Sequence, residues 1–237
     1  MALPFFYADA LMPGTSEFVL PEEASRHIIQ VLRMHTGESV HLTDGKGHLF
    51  EAEITDDHKK KCTMKINSCT LVPARNKKCV MAVSLLKNAS RFEWFLEKAT
   101  ELGISAIIPL LCKRTEKQHF RRERMNQILI SAMIQSQQTY LPELYEPQPF
   151  SSAIRLFSTQ ADCKKYFAHC DDDAEKKTLS GFAPFEQAVL FIGPEGDFTT
   201  DEIQASKESG FLPVHLGETR LRTETAAITG AVLLSLL

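Results

Sequence analysis

The spacing of apolar positions changes partway along the chain. Up to residue 72 they fall in short alternating runs, at 3–7, 17–20, 39–42, 48–54 and 62–66. Turn chemistry such as Pro13-Gly14 and Asp44-Gly45-Lys46-Gly47 separates these runs. Alternation at period two marks half-buried strands, and several short strands in succession predict a small β-barrel. One helix interrupts them. Pro21 starts it, Glu22 and Glu23 suit its first turn, and Ile28, Val31 and Leu32 are expected to line its buried side. Residues 73–78, polar and led by a proline, read as a linker.

Beyond residue 78 strands and helices alternate. An apolar strand at 79–86 is followed by a helix that Ser90 is expected to cap, with Glu93 three residues on. Phe92, Phe95, Leu96, Ala99 and Leu102 form its stripe, and Gly103 ends it before a strand at 104–111. That unit is long enough for a parallel crossover. A helix at 126–138 buries Ile128, Leu129, Ala132 and Met133; Pro142, Pro147 and Pro149 mark a loop; 164–169 reads as a strand. The last fifty residues then use one design twice. The run 189–192 stops at Gly193-Pro194-Glu195-Gly196, and Thr199 with Glu202 forms a capping box for the next helix. The run 214–216 stops at Gly217, and Thr223 or Thr225 caps an apolar helix that continues to Leu237. In open α/β sheets, loops at the carboxyl ends of strands hold ligands.

Composition narrows the possibilities only slightly. A chain of 237 residues, 43% hydrophobic and 24% charged, has the balance of an ordinary globular protein. No apolar run approaches the roughly 20 residues of a spanning helix, so no membrane role and a cytoplasmic location are expected. Six cysteines show no Cys-x-x-Cys spacing, and Cys163, His169 and Cys170 are separated by a strand pattern, so no metal site is expected. Asp171, Asp172, Asp173 and Glu175 read as a solvated acidic turn. Net charge is −3, yet residues 1–125 hold 19 Lys and Arg against 15 Asp and Glu, a weak pointer to a polyanion. Lys113, Arg114, Lys117, Arg121, Arg122 and Arg124 concentrate that charge after a buried strand, on the rim of any ligand site. Trp94, the only tryptophan, reads as packing rather than as a platform for a base.

The glycine loops lack the Lys-Ser/Thr of a phosphate site and the Gly-x-Gly-x-x-Gly of a dinucleotide site. Glu195, Asp197, Asp201 and Glu202 would repel a pyrophosphate at that helix N-terminus. The acidic setting suits a zwitterion or a cation, and S-adenosylmethionine, a sulfonium carrying an adenosine, meets that description.

Gly193-Pro194-Glu195-Gly196-x-Phe198, followed by Leu216-Gly217-x-x-x-Leu221-Arg222-Thr223-Glu224-Thr225-Ala226, resembles the 16S ribosomal RNA uracil-N(3) methyltransferase family of the knotted SPOUT superfamily. Arg26-His27, Arg33, Lys98-Ala99-Thr100-Glu101-Leu102-Gly103, Pro109-Leu110 and Gln135-Ser136 extend the resemblance over nearly the whole chain. It implies an α/β fold: a PUA-like RNA-binding β-barrel at 1–72, a linker at 73–78, and a SPOUT methyltransferase domain with a trefoil knot at 79–237. It also implies S-adenosylmethionine as methyl donor, 16S ribosomal RNA or the small ribosomal subunit as partner, and a homodimer with each pocket near the subunit interface. Leu110, Ile192, Gly193, Pro194, Glu195, Gly196, Leu216, Gly217, Leu221 and Thr223 would then surround the donor, with Leu216 and Leu221 against adenine. Arg26, His27, Arg33, Lys113, Arg114, Arg121 and Arg122 would meet RNA. Arg222 is the candidate for stabilising a uracil anion, and Glu224 either orients it or competes with Glu195 for the role of base. Asp197, Ile134 and Gln138 depart from the family pattern, which keeps open a second reading, a non-catalytic RNA-binding protein with a degenerate methyltransferase domain.

Overall fold

The computed structural model describes residues 3–171 and 175–237, so Asp172 and Asp173 of the acidic turn lie outside the described residues. One compact unit runs to Ala74 and takes in Met133–Leu141; the other comprises Arg75–Ala132 and Pro142–Leu237. A reading along the chain gave the segment Met133–Leu141 to the second unit. It belongs with the first because Leu141 N–H donates to the Gly45 carbonyl at 2.8 Å and the Tyr140 hydroxyl to the Val72 carbonyl at 2.8 Å.

The first unit is a five-stranded sheet of β1 (Phe5–Tyr7), β2 (Glu17–Val19), β3 (Ser39–Thr43), β4 (His48–Asp56) and β5 (Thr63–Leu71), in the order β1-β3-β4-β5-β2. It curls around Leu11, Leu20, Ile28, Leu42, Phe50 and Ile54, as a PUA-like half-barrel. The interrupting helix departs from the expected stripe. α1 (Glu22–Arg26) continues as a π turn, His27–Val31, whose extra residue per turn keeps Ile28 inside but turns Val31 and Leu32 out to solvent. Ser25 is buried instead, donating to the Leu20 carbonyl and accepting from Cys62 N–H.

The second unit is a parallel sheet in the order β11-β13-β10-β12-β6-β7-β8, with β9 also paired to β7. Its elements are β6 (Lys78–Ser84), α2 (Ala89–Glu101), β7 (Ala106–Leu111), α3 (Arg122–Gln135), β8 (Glu143–Leu144), β9 (Gln148–Pro149), α4 (Phe150–Ser158), β10 (Cys163–Ala168), β11 (Lys177–Thr178), β12 (Gln187–Ile192), α5 (Thr200–Glu208), β13 (Leu212–His215) and α6 (Thr223–Leu236). Both faces are covered, which explains why the central strands are apolar without alternation. Val80, Ile108, Val189 and Phe191 pack with Phe150, Phe157, Phe198 and Phe211 on one face. On the other face α6 lies over β6 and β12 beside α2, and it comes so close that a Cβ on Gly230 would run into Leu190.

Three helix starts differ from the sequence reading. α2 is capped by Asn88, whose side chain accepts from Ser90 N–H at 3.0 Å, so Ser90 lies inside the first turn. α3 begins within the basic run, four residues before the expected start. α6 has Arg222 at its N-cap with no side-chain hydrogen bond, rather than Thr223 or Thr225. The capping box is as expected: Thr199 Oγ1 accepts from Glu202 N–H while Glu202 Oε2 accepts from Thr199 N–H. α4 had no counterpart in the sequence reading; it directly follows Pro149 and buries Phe150, Ala153, Ile154 and Phe157.

Candidate active site

β10, β12 and β13 are neighbours in the sheet, and the loops leaving their carboxyl ends line two adjoining clefts of about 350 and 330 Å³. The first cleft is walled by Ile192, Gly193, Pro194 and Glu195 facing Arg222 and Thr223. The second is walled by His215, Leu216 and Gly217. Ala168, Cys170, Arg220, Leu221 and Ala226 border both. The two glycine loops therefore meet over one floor, where an open α/β sheet holds its ligand.

The first loop is fixed from several sides. Asp197 adopts the left-handed conformation, φ +63°, which Asp tolerates better than most side chains. Its Oδ2 accepts from Cys170 N–H at 2.6 Å and its Oδ1 from Phe198 N–H at 2.8 Å. Arg114 Nη1 donates to the Gly196 carbonyl at 2.6 Å and to the Phe198 carbonyl at 3.2 Å. Glu202, besides closing the capping box, accepts from Lys113 N–H at 2.8 Å, and Glu195 Oε1 accepts from Lys87 N–H at 3.1 Å. A Cβ on Gly193 would press on Phe198 at 3.2 Å. The departure at Asp197 thus leaves an ordered loop. Burial first, and then the neighbouring Asp197 charge, push the Cys170 thiol above its ordinary range.

Gly217 has φ +145° and nothing within 4 Å of where a Cβ would stand. The second loop thus presents bare backbone to open cleft, and only glycine takes that conformation without strain.

The structure brings most of the predicted donor residues together. Ile192, Gly193, Pro194, Glu195, Leu216, Gly217, Leu221 and Thr223 all line the paired clefts. Gly196 stands behind them against Arg114, and Leu110 lies in the core, fully buried, away from both. Arg222 is exposed on the cleft wall, and its side chain makes no hydrogen bond or ion pair among the described residues. Glu224 is buried, and its partner is Arg91, Nε to Oε1 at 3.4 Å, rather than Arg222. Its second oxygen, Oε2, is buried without a hydrogen-bond partner.

The predicted RNA contacts are more dispersed. Arg26, His27 and Arg33 are exposed in the first unit, where Arg26 pairs with Glu22 and His27 meets the ring of Phe6 edge-on. Lys113 is exposed, and Arg121 bonds His119. Arg114, Arg122 and Arg124 have structural partners: Arg114 the glycine loop, Arg122 Glu146 and the Leu144 carbonyl, Arg124 both oxygens of Glu93. Much of the basic run therefore braces the fold. The sequence reading does not single out Arg220 and Cys170, which border both clefts, or Arg91, which lines a neighbouring groove with Trp94; Trp94, expected as packing, is 46% exposed because it falls off the Phe92–Phe95–Ala99 stripe of α2. A long exposed aromatic flanked by arginines at 91 and 220 was the only signal, and it is not a local one.

A parallel sheet with paired glycine loops at its carboxyl edge, preceded in sequence by a half-barrel, defines a SPOUT-type α/β protein with a PUA-like unit. The sequence matches the RNA methyltransferase domain over residues 73–235 and the RNA methyltransferase PUA domain over residues 20–67. The chain belongs to the RNA methyltransferase family that these two domains define. It is similar to a probable rRNA methyltransferase from Porphyromonas gingivalis, 33% identical with a TM-score of 0.89, covering 97% of this chain and 95% of that one. The ribosomal RNA small subunit methyltransferase E from Neisseria gonorrhoeae, solved bound to S-adenosyl methionine, is 28% identical with a TM-score of 0.85, covering 97% and 95%. The protein of that name from Bacillus subtilis (strain 168) is 26% identical over 229 residues, 89% of this chain and 86% of its own.

Proposed function

We propose that this protein transfers a methyl group from S-adenosylmethionine to N3 of a uridine in 16S ribosomal RNA of the small subunit. The observation that carries the reading is the pair of glycine loops over one floor, with the bare backbone of Gly217 on one side and the unpaired Arg222 on the other. The residues fit the donor. Leu216, Leu221 and Ala226 offer apolar surface to an adenine, Gly217 offers close backbone approach, and Glu195 and Asp197 favour a cation. When bound, that donor supplies an electrophilic methyl group on a sulfonium.

The chain's own residues do the rest. The acceptor N3–H must lose its proton, and the negative charge left behind spreads onto the two flanking carbonyl oxygens. Arg222, always charged and projecting from the cleft wall, stabilises that charge. A carboxylate takes the proton as the N–C bond forms and the C–S bond breaks; the two candidates are Glu195, which lines the first cleft, and Glu224, which lies beside Arg222 just outside it with Oε2 unpartnered. Arg91 orients Glu224. Holding acceptor and donor in one geometry supplies much of the remaining acceleration.

Exposed Arg26, Arg33 and Lys113 are the RNA-facing cations of this reading, which places the protein in the cytoplasm with the ribosome. A homodimer through α6, whose Leu236 is 76% exposed, and a knotted path for the C-terminal segment complete it. A non-catalytic RNA-binding protein is the second reading, but an ordered loop at Asp197 does not favour it. Calorimetry with S-adenosylmethionine and nucleoside mass spectrometry of 16S RNA from a deletion strain test the proposal. Gly217→Val, which adds a side chain and strains the backbone at φ +145°, should weaken donor binding about 10- to 100-fold, with a thermal melt checking that the fold is retained. Unchanged affinity would move the donor site elsewhere, and undiminished 3-methyluridine in the deletion strain would end the assignment.

A further inference from the structure

A second groove, open and about 670 Å³, lies on the far side of the Arg220–Arg222 wall from the donor cleft. Arg91 and Trp94 of α2 line one side; Arg220, Arg222, Glu224 and Thr225 line the other. Three features of it are unexplained by packing. Trp94 shows 46% of its surface to solvent although it is a large aromatic side chain. Arg220 and Arg222 are exposed, and their side chains make no hydrogen bond or ion pair among the described residues. The Glu224 side chain is 9% exposed, and its Oε2 is buried with no partner. A buried, unsatisfied carboxylate oxygen costs stability unless a ligand supplies a donor.

Each feature constrains the ligand. A flat exposed indole takes another flat ring, and base-on-aromatic stacking is a principal source of affinity for single-stranded nucleic acids. Free guanidinium groups take phosphate oxygens. A lone carboxylate oxygen beside them takes an N–H. A protein partner's apolar face would leave the guanidinium groups unmatched, and a simple anion would leave Trp94 and Glu224 unmatched. A nucleotide satisfies all three, and a base with a ring N–H, such as uracil, best suits a single acceptor oxygen.

We propose that this groove is the acceptor-nucleotide site for single-stranded RNA: Trp94 stacks the base, the free Arg220 holds a flanking phosphate, and Glu224, oriented by Arg91, accepts the ring N–H at Oε2. Its role as acceptor site rests on the methyltransferase reading. Sharing Arg220, Leu221 and Arg222 with the donor cleft puts the base one side chain away from the donor. It also gives Glu224 a selective role, since cytosine has no ring N–H at that edge.

Trp94 is the only tryptophan, so its fluorescence reports on the groove alone. The full-length protein is titrated with hexauridylate and hexacytidylate in the presence of S-adenosylhomocysteine, which cannot react. Hexauridylate should quench Trp94 saturably and bind more tightly than hexacytidylate. Trp94→Ala, read by anisotropy of labelled RNA, should lower affinity about 10- to 100-fold, with Trp94→Phe close to wild type and donor affinity unchanged in both. Glu224→Gln should erase the preference for hexauridylate, and Arg220→Ala should reduce the salt slope of binding by about one. No quenching, or Trp94→Ala binding RNA within twofold of wild type, overturns the proposal. So does quenching that follows protein concentration without RNA, which would make the groove a contact between copies of this chain. Wild-type methylation of RNA with an unaffected Trp94→Ala would sink the groove and leave the methyltransferase reading standing. Quenching without any methyl transfer would do the reverse.

Discussion

Arg114 reaches from the basic run into the first glycine loop, with Nη1 2.6 Å from the Gly196 carbonyl oxygen. A second bond to the Phe198 carbonyl at 3.2 Å spans the turn on either side of Asp197. The guanidinium therefore fixes the path of the loop that walls the proposed donor cleft. Arg114→Ala should lower S-adenosylmethionine affinity about 3- to 10-fold, as expected when a partly exposed charge-assisted hydrogen bond is lost. The salt slope of RNA binding should stay as in wild type. Calorimetry and a salt series measure the two; a lowered slope with intact donor affinity would return Arg114 to the RNA surface.

Cys170 offers a footprint of the donor cleft that does not depend on activity. Cys69 and Cys170 are the exposed cysteines, while Cys62, Cys79, Cys112 and Cys163 are buried. Only Cys170 borders the clefts. Burial and Asp197 raise its thiol, so the reactive thiolate is scarce at neutral pH and alkylation should keep rising with pH beyond the ordinary thiol range. S-adenosylhomocysteine should slow labelling of Cys170 and leave Cys69 unaffected, as read by mass spectrometry of iodoacetamide adducts. Equal protection at both, or at neither, would place the donor elsewhere.

Asp44 and His48 make a second pH-sensitive element, in the first unit. Asp44 is 4% exposed; Oδ2 lies 2.7 Å from His48 Nδ1, and Oδ1 accepts from the backbone of Lys46 and His48. Burial alone would raise this carboxyl, but the hydrogen bonds from His48 and the two backbone N–H groups outweigh it and hold it below its ordinary value. A depressed carboxyl contributes stability that is complete above the unfolded value, near 4, and is lost as pH falls through the lower folded value. Asp44→Ala should destabilise the first unit by about 1–3 kcal/mol at neutral pH, and the difference from wild type should shrink below about pH 4. Chemical denaturation at pH 7 and pH 3 measures both; a difference that persists at pH 3 would remove the ionised Asp44 carboxylate as the cause.

Local chemistry was legible in the sequence, and long-range pairing was not. The Thr199–Glu202 box could be read because both residues sit in one turn, and the glycine loops because strand, stop and restart are consecutive. α4 was missed because the prolines before it read as loop, although Pro149 suits the start of a helix and Phe150, Ala153, Ile154 and Phe157 recur at helical spacing. The cations at 114, 122 and 124 looked like an RNA-facing rim because their partners, Gly196, Glu146 and Glu93, lie far away in the chain. Proximity in sequence suggests Arg222 as the partner of Glu224, whereas the fold gives it Arg91. That reassignment leaves Arg222 free.

Arg222 is where the chemistry of the site comes to a single testable atom group. It stands at the N-cap of α6, exposed, on the wall shared by donor cleft and groove, with no partner among the described residues. A structural role would require something for it to hold, and the carboxylate that might have served is engaged by Arg91. On the proposed reading it meets negative charge that arrives with the substrate or develops on it. Phosphate binding and anion stabilisation predict different kinetics. A phosphate contact is made equally in ground and transition states, so its loss raises KM and spares kcat; a contact to the developing uracil anion exists only at the transition state, so its loss lowers kcat. Arg222→Lys keeps the charge but loses the planar fork. Under saturating RNA and S-adenosylmethionine its single-turnover rate should fall about 10²- to 10³-fold, with donor affinity within about threefold of wild type. Arg222→Ala should fall further, with partial recovery on adding guanidinium. A wild-type rate for the lysine variant would mean that charge alone suffices, and an elevated KM at unchanged kcat would assign Arg222 to the RNA backbone instead.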